Sequence, residues 1–184
     1  MFGLYGRHYF SRYSAVADLI PYESSVLDLC CGPAVLYRRY LRHKWVNYMG
    51  LDINEKFIKK TIRIGARGRV WDVRRDEPLP AADYVIMQAS LYHFLPDPAP
   101  VLTRMLQAAR KQVVIAEPIR NLAQAKLPVL ASLARLLTDP GVGAQTQRFS
   151  ERALDDLFTD FCRYPPQTHL IGGGREKIYV IDKY

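Results

Sequence analysis

The sequence contains no run of about 18 apolar residues, so no segment of it reads as a membrane span. Cysteine is scarce. The three present, two of them adjacent, do not make a disulfide framework, and the expectation is a reducing cytoplasm. Near the start, Gly3, Arg7 and His8 interrupt the aromatics, and the uninterrupted apolar core of a secretory signal is missing. Cys30 and Cys31 lack a second Cys or His pair at ligand spacing, which argues against zinc, and no metal is expected. What is present is 184 residues, 49% of them hydrophobic, enough for one domain with a real core and too few for two comfortable ones.

The chain is organised around Val26-Leu27-Asp28-Leu29-Cys30-Cys31-Gly32-Pro33-Ala34-Val35-Leu36. Ser25-Val26-Leu27 and Leu29 form a short apolar run of the kind found in parallel strands covered on both faces. The run is broken by one carboxylate, turns through Cys-Cys-Gly-Pro and opens into a helix. Gly32 permits close backbone approach and Pro33 suits a first helical turn. A ligand placed there meets free backbone N–H groups. A second strand, Asn47 to Ile53, also ends on a carboxylate, and Asp52 lies 24 positions after Asp28. That is close to the spacing of roughly 20 residues at which doubly wound folds place a ribose-binding acid. A third acid, Asp72, follows Val70-Trp71.

Around these acids strand and helix signals alternate. A leading helix over 4–20 carries Leu4, Tyr5, Tyr9, Tyr13, Val16, Ala17 and Ile20 and ends at Pro21. Helices are expected at 34–43, 54–64, near 99–109 behind Asp97-Pro98, and at 150–161 behind Ser150. Strands are expected at 46–52, 68–72, 83–87 and 112–116, and Asp76-Glu77-Pro78-Leu79-Pro80 forces a loop. Residues 119–149 are helical and aliphatic, broken near Pro128. Finally 167–171 and 177–181 flank Gly172-Gly173-Gly174-Arg175-Glu176 as a hairpin, whose strands must be antiparallel. The glycine triplet precedes a strand rather than a helix, so it is a turn and not a phosphate loop. The expected fold is α/β and doubly wound: a mostly parallel seven-stranded sheet with an antiparallel C-terminal hairpin strand and helices on both faces, in a single domain over 1–184.

Asp28-Leu29-Cys30-Cys31-Gly32-Pro33-Ala34 resembles the acid-x-Gly-x-Gly-x-Gly opening motif of the class I S-adenosylmethionine-dependent methyltransferases. The central glycine is kept and the outer two are Cys30 and Ala34. The resemblance continues through Gly50-Leu51-Asp52, Asp72-Val73, Asp83 to Phe94, and Ile115-Ala116-Glu117-Pro118, covering most of the chain. It implies S-adenosyl-L-methionine as cofactor, with Asp28 near the methionine amine and Cys30, Cys31 and Gly32 lending backbone. Asp52, with Ile53 beside it, is implied at the ribose, and Asp72 with the Val73 backbone at the adenine edge. Gln88 and Ala89 follow the fourth strand beside the cofactor. The resemblance also implies that the leading helix, residues 1–21, lies over the cofactor, with Tyr5, Tyr9 and Tyr13 as candidates for contact with its carboxylate. Tyr92, His93 and Glu117 are the candidates for acceptor contact, with His93 able to take a proton near neutrality. Each has a structural alternative: helix capping for the acids and Glu117, core packing for the tyrosines, loop packing for His93.

Methyl transfer is an in-line displacement at an already activated carbon, so alignment supplies most of the acceleration. The acceptor is expected to be a small molecule, and the 119–149 insertion either walls its pocket, packs the core or joins two copies in a homodimer. RNA is the alternative partner. The net charge is +8; residues 1 to 75 carry 14 Lys and Arg against 6 Asp and Glu, while residues 76 to 184 carry 12 of each. Arg38, Arg39, Arg42 and Lys44, with Lys56, Lys59, Lys60 and Arg63, form either a nucleic-acid-facing surface or the solvated faces of two helices. The acidic-or-Asn-Pro-Pro-aromatic signature of base amino methylation is absent at 88–94. A third reading is a non-catalytic cofactor-binding module that regulates or scaffolds a partner.

Overall fold

The computed structural model describes residues 10–119 and 148–183. Seven strands are present: β1 Ser25–Leu29, β2 Asn47–Asp52, β3 Arg67–Val70, β4 Ala82–Gln88, β5 Ala109–Pro118, β6 Gln167–Ile171 and β7 Glu176–Asp182. They form one sheet in the order β3-β2-β1-β4-β5-β7-β6. The first five run parallel, and β7 lies antiparallel between β5 and β6. The mostly parallel seven-stranded sheet with its antiparallel C-terminal hairpin is therefore the expected one. Strand order reverses at β1, which carries β2 on one side and β4 on the other, and open α/β sheets bind ligands outside the carboxyl ends at such a point.

Among the described residues four α-helices pack on this sheet: α1 Ser11–Asp18, α2 Glu55–Arg63, α3 Ala99–Ala108 and α4 Glu151–Phe161. The starts of the last three follow side-chain chemistry. The Ser150 hydroxyl accepts the Ala153 N–H at 3.1 Å, the Asn54 side chain accepts the Lys56 N–H at 2.9 Å, and Asp97 accepts the Ala99 N–H at 3.1 Å behind Pro98. Two cores result. Val16 and Ala17 of α1, with Ile20 just past its end, cover Val26, Ile86, Val114 and Ile178 on one face. On the other, Leu102 and Met105 of α3 and Leu154 and Phe158 of α4 cover Leu27, Val85, Ile115 and Tyr179. Alternate strand residues thus go to opposite layers, as the two-residue period of a strand requires.

Three elements differ from the sequence expectation. The helix expected at 34–43 starts late, because Ala34 is left-handed; it winds as a π turn over Tyr37–Leu41 and tightens to a 3-10 turn over Arg42–Lys44. Lys44 leaves this basic face altogether: its Nζ donates to Ala17 O at 2.7 Å and Ile20 O at 2.8 Å, capping the end of α1. Strand β3 stops at Val70, whose register partner is Asp52 at the end of β2, so Asp72 lies past the ladder in a turn. Strand β5 is longer than expected, since β4 pairs with its start at Ala109 and β7 with its end as far as Pro118. The 119–149 insertion falls almost wholly, and residues 1–9 of the leading segment, Tyr9 among them, fall entirely, outside the described residues. Among the described residues no helix is long and apolar enough to cross a membrane.

Candidate functional site

The loop leaving β1 has an unusual backbone. Cys30, Gly32 and Ala34 all adopt positive φ, at 54°, 55° and 50°. These are the positions where the motif Cys30 and Ala34 depart from would carry glycine, so two non-glycine residues hold a left-handed conformation that costs of order 1 kcal/mol each or more. Surrounding bonds fix the shape. Cys31 N–H donates to Leu51 O at 3.1 Å, and Ala34 N–H to Cys31 O at 3.1 Å. Asp52, at the end of β2, accepts the Gly32 N–H at 2.8 Å on one oxygen and the Asn54 N–H at 2.8 Å on the other. Asp52 is buried, which raises its pKa, and those two amides partly offset the shift.

Asp28 lies in β1 opposite Gly50 of β2 and Ile86 of β4. It is 2% exposed and accepts a hydrogen bond from Tyr48 Oη at 2.8 Å. Burial pushes its carboxyl up to about 7 against that bond. Cys31 turns its thiol down onto β2, where a Cβ on Gly50 would stand 2.7 Å from Sγ. Burial pushes both thiols, Cys30 and Cys31, well up, so both stay protonated. Ile53, Trp71 and Asp72 line a cleft of about 240 Å³ beside β2 and β3. Asp72 is held by its own neighbour: Arg74 Nε and Nη2 each donate to it at 2.9 Å, and this fork lowers its pKa. Val73 is buried, and its carbonyl accepts from Arg104 Nη2 at 2.6 Å.

After β4 the chain turns through Ala89, also left-handed at 47°, into a 3-10 turn over Leu91–Phe94. Glu117, at the end of β5 and 1% exposed, accepts Ser90 N–H at 2.6 Å and Leu91 N–H at 2.8 Å on a single oxygen. Burial raises its carboxyl to about 7 although both amides oppose the shift. Glu117 thus caps the turn that carries Tyr92 and His93. Their rings lie 4.0 Å apart, the Arg148 guanidinium sits over Tyr92 at 3.2 Å, and burial together with Arg74 lowers the His93 pKa. Gln88 ends β4 with its Oε1 buried and unpartnered.

Two charged residues near this rim had not been singled out. Arg12 of α1 is buried and donates to Glu176, at the start of β7, at 2.9 Å. Its Nη2 also donates to Tyr13 Oη at 3.4 Å, with the guanidinium 5.0 Å from the Tyr13 ring centroid. Arg12 Nε and Glu176 Oε2 are buried and unpartnered, like Gln88 Oε1. In the sequence, Arg12 occupies the apolar stripe of its helix, four residues before Val16, and a cation on a buried face is the signal that could have revealed it.

This sheet order, with its loop of left-handed residues and acids at the ends of neighbouring strands, defines a class I S-adenosylmethionine-dependent methyltransferase fold. Within that class the chain belongs to the family described as methionine biosynthesis protein MetW, which matches residues 11–131. A trans-aconitate 2-methyltransferase of Mycolicibacterium gilvum (strain PYR-GCK) is 34% identical over 101 residues, 54% of this chain and 38% of that protein. The chain therefore spans well under half the length of that relative. Among solved structures, a TehB-like SAM-dependent methyltransferase from Corynebacterium glutamicum aligns over 100% of this chain and 92% of its own, with TM-score 0.68 and 13% identity. A magnesium protoporphyrin IX methyltransferase from Synechocystis PCC 6803, crystallised with SAH, aligns over 94% and 82% with TM-score 0.66 and 15% identity. At such identities these two structures speak for the fold alone.

Proposed function

We propose that this chain is an S-adenosylmethionine-dependent methyltransferase that transfers a methyl group to an O, N or C atom of a small-molecule acceptor by in-line displacement. The observation that carries this reading is the bond from Gly32 N–H to Asp52, which joins the left-handed loop after β1 to the acid after β2. The residues fit the cofactor. The space beside Gly32 is open, with nothing within 4 Å of where a Cβ would lie. Each Asp52 oxygen accepts one amide and retains a lone pair suited to a ribose hydroxyl. Asp28, whose carboxyl burial raises to about 7, is placed to meet an ammonium, whose charge would favour the ionised form, and Arg12 Nε, in place of or beside Tyr13, is a donor for a carboxylate. Gln88 Oε1 and Glu176 Oε2 are further acceptors. Ile53, Asp72 and Val73 take the adenine end, and Cys30, Cys31 and Ala89 contribute backbone.

When bound, the cofactor supplies a methyl group on an electron-poor sulfonium. The protein's part is to hold, align and exclude water. Glu117 fixes the 90–94 turn through two amides, so we assign it positioning rather than acceptor contact. Tyr92 packs beneath Arg148 at the mouth of the site, and His93, kept neutral by burial and Arg74, is the candidate to take a proton.

A small acceptor suits the described surface better than RNA because part of the basic half is engaged within the chain. Lys44 caps α1, Arg39 stacks over Phe10 at 4.2 Å, and Lys59, still exposed, pairs with Glu55 at 2.8 Å. Calorimetry with S-adenosylhomocysteine tests the cofactor assignment. Asp52→Ala should weaken binding at least about tenfold, the loss of one good hydrogen-bonding carboxylate; an unchanged affinity would remove Asp52 from the site.

A further inference from the structure

We propose that the cavity bounded by the turn after β3, the turn after β4 and the first turn of α3 is a second binding pocket, for an anionic group carried on an apolar body. The pocket measures about 280 Å³ and lies on the sheet face opposite α1, since Val101, which lines it, belongs to the core layer of α3 and α4 and Phe94 packs against that layer. Asp28, Tyr48 and Arg12, which serve the cofactor reading, lie toward the other layer. The cavity shares His93 with that reading, and Arg74 also holds Asp72, but recognition of an anion there does not require the cofactor to bind.

Three basic side chains converge on the cavity: Arg74, His93 and Arg104. Arg104 is the telling one. Its side chain is 11% exposed, yet its only ion pair among the described residues is to Asp76 at 4.0 Å, and Asp76 is fully exposed. Its guanidinium is satisfied by carbonyl dipoles instead, with Nη2 donating to Val73 O and Nη1 to Arg75 O, while Nε is buried without a partner. A mostly buried cation compensated mainly by dipoles, with its one carboxylate partner out in solvent, leaves a positive field in the cavity. Arg74 spends one edge of its fork on Asp72, but its side chain is 50% exposed and its charge reaches the imidazole of His93. The opening turn of α3, a helix of ten residues, adds its positive dipole end. The one acid at the rim, Asp97, turns its carboxylate to the Ala99 N–H. Phe94, Leu95 and Val101 make the remaining wall apolar. Guanidinium groups on one side and an apolar wall on the other recognise a phosphate or carboxylate with a hydrocarbon body.

His93 reports on the pocket, and it is one of only four histidines, so its imidazole signals can be assigned in NMR with His93→Gln. The full chain, with no cofactor present, is titrated with sulfate, a dianion that does not itself titrate near neutrality, and separately with acetate, at ionic strength fixed by chloride. The pocket predicts that one or both anions saturate and raise the pH at which His93 titrates by about half a unit or more, as a charge bound within reach of the ring should. Sulfate acting at the lower concentration marks a phosphate site, and acetate a carboxylate site. The response should vanish in Arg104→Met and need at least threefold more anion in Arg74→Gln. If Arg104→Met does not fold, the half-exposed Arg74 variant decides alone. A drift no larger than chloride gives, or a saturating response unchanged in the variants, overturns the proposal. Neither result bears on S-adenosylhomocysteine binding, so failure here and failure of the methyltransferase reading are distinguishable.

Discussion

Adding one methyl group at Gly50 should damage the site from beneath. Gly50 sits in β2 opposite Asp28, and its backbone is not left-handed, so an alanine there is limited only by space. That space is already filled: the new Cβ would lie 2.7 Å from Cys31 Sγ and 3.2 Å from Tyr48 Oη. Cys31 cannot step aside freely, because its N–H is bonded to Leu51 O and the next residue, Gly32, is bonded to Asp52. Overpacking of this kind costs about 1–3 kcal/mol. Taking about 2 kcal/mol, a chain of this size should melt roughly 4–8 °C lower. Cys31→Ala removes the struck atom at a cost of about 1 kcal/mol. If the contact is the cause, the double variant should be no less stable than Gly50→Ala alone, a coupling of about 1–2 kcal/mol in urea unfolding. S-adenosylhomocysteine affinity should fall about tenfold in Gly50→Ala and recover in the double variant, because the Gly32–Asp52 bond is what moves. Additive losses, or a Gly50→Ala variant within about 0.5 kcal/mol of the parent, would refute this reasoning.

Two further tests address the buried charges. Burial raises Asp28 and Glu117 to about 7 each, so between roughly pH 4 and 7 the folded protein keeps protons that the unfolded chain releases. Stability should therefore fall as pH rises through that window, with the loss complete above it; Asp28→Asn should remove about half of the slope these two groups impose in urea unfolding, and an unaltered slope contradicts the assignment. Arg12→Met leaves Glu176 buried and unpaired and should cost about 3–5 kcal/mol, whereas Arg12→Met with Glu176→Leu should return to within about 1 kcal/mol of the parent. That stable double variant should still bind S-adenosylhomocysteine at least about tenfold more weakly, having lost its carboxylate donor, and full affinity would make Arg12 purely structural.

The strands were legible because their chemistry is local. Val26-Leu27 and Val113-Val114-Ile115 have few other places to go than a doubly covered sheet, and the short link between β6 and β7 allows only an antiparallel pair. The cap at Ser150 was equally local, and Asp52 stood out because strand ends and spacing both marked it. What stayed hidden depended on partners distant in sequence. Arg12 is explained only by Glu176, 164 positions away, and Tyr48 only by Asp28. Asp72 reads as a strand end until the β2–β3 register runs out at Val70. Glu117 was a plausible cap for the helix that follows it, but it caps the turn after β4, which pattern along the chain cannot show. The left-handed backbone at Cys30 and Ala34 is likewise invisible to propensity, since neither residue favours it.

The central claim is that acids at the ends of β1 and β2 hold S-adenosylmethionine at the rim of the sheet. A crystal structure of the chain grown with S-adenosylhomocysteine measures this directly. The account predicts the ligand along the carboxyl ends of β1, β2 and β4, its ribose hydroxyls on Asp52 and its amino-acid end facing Asp28 and Arg12. A ligand lodged elsewhere on the molecule, or clear density for this rim with none for the ligand at saturating concentration, would contradict it.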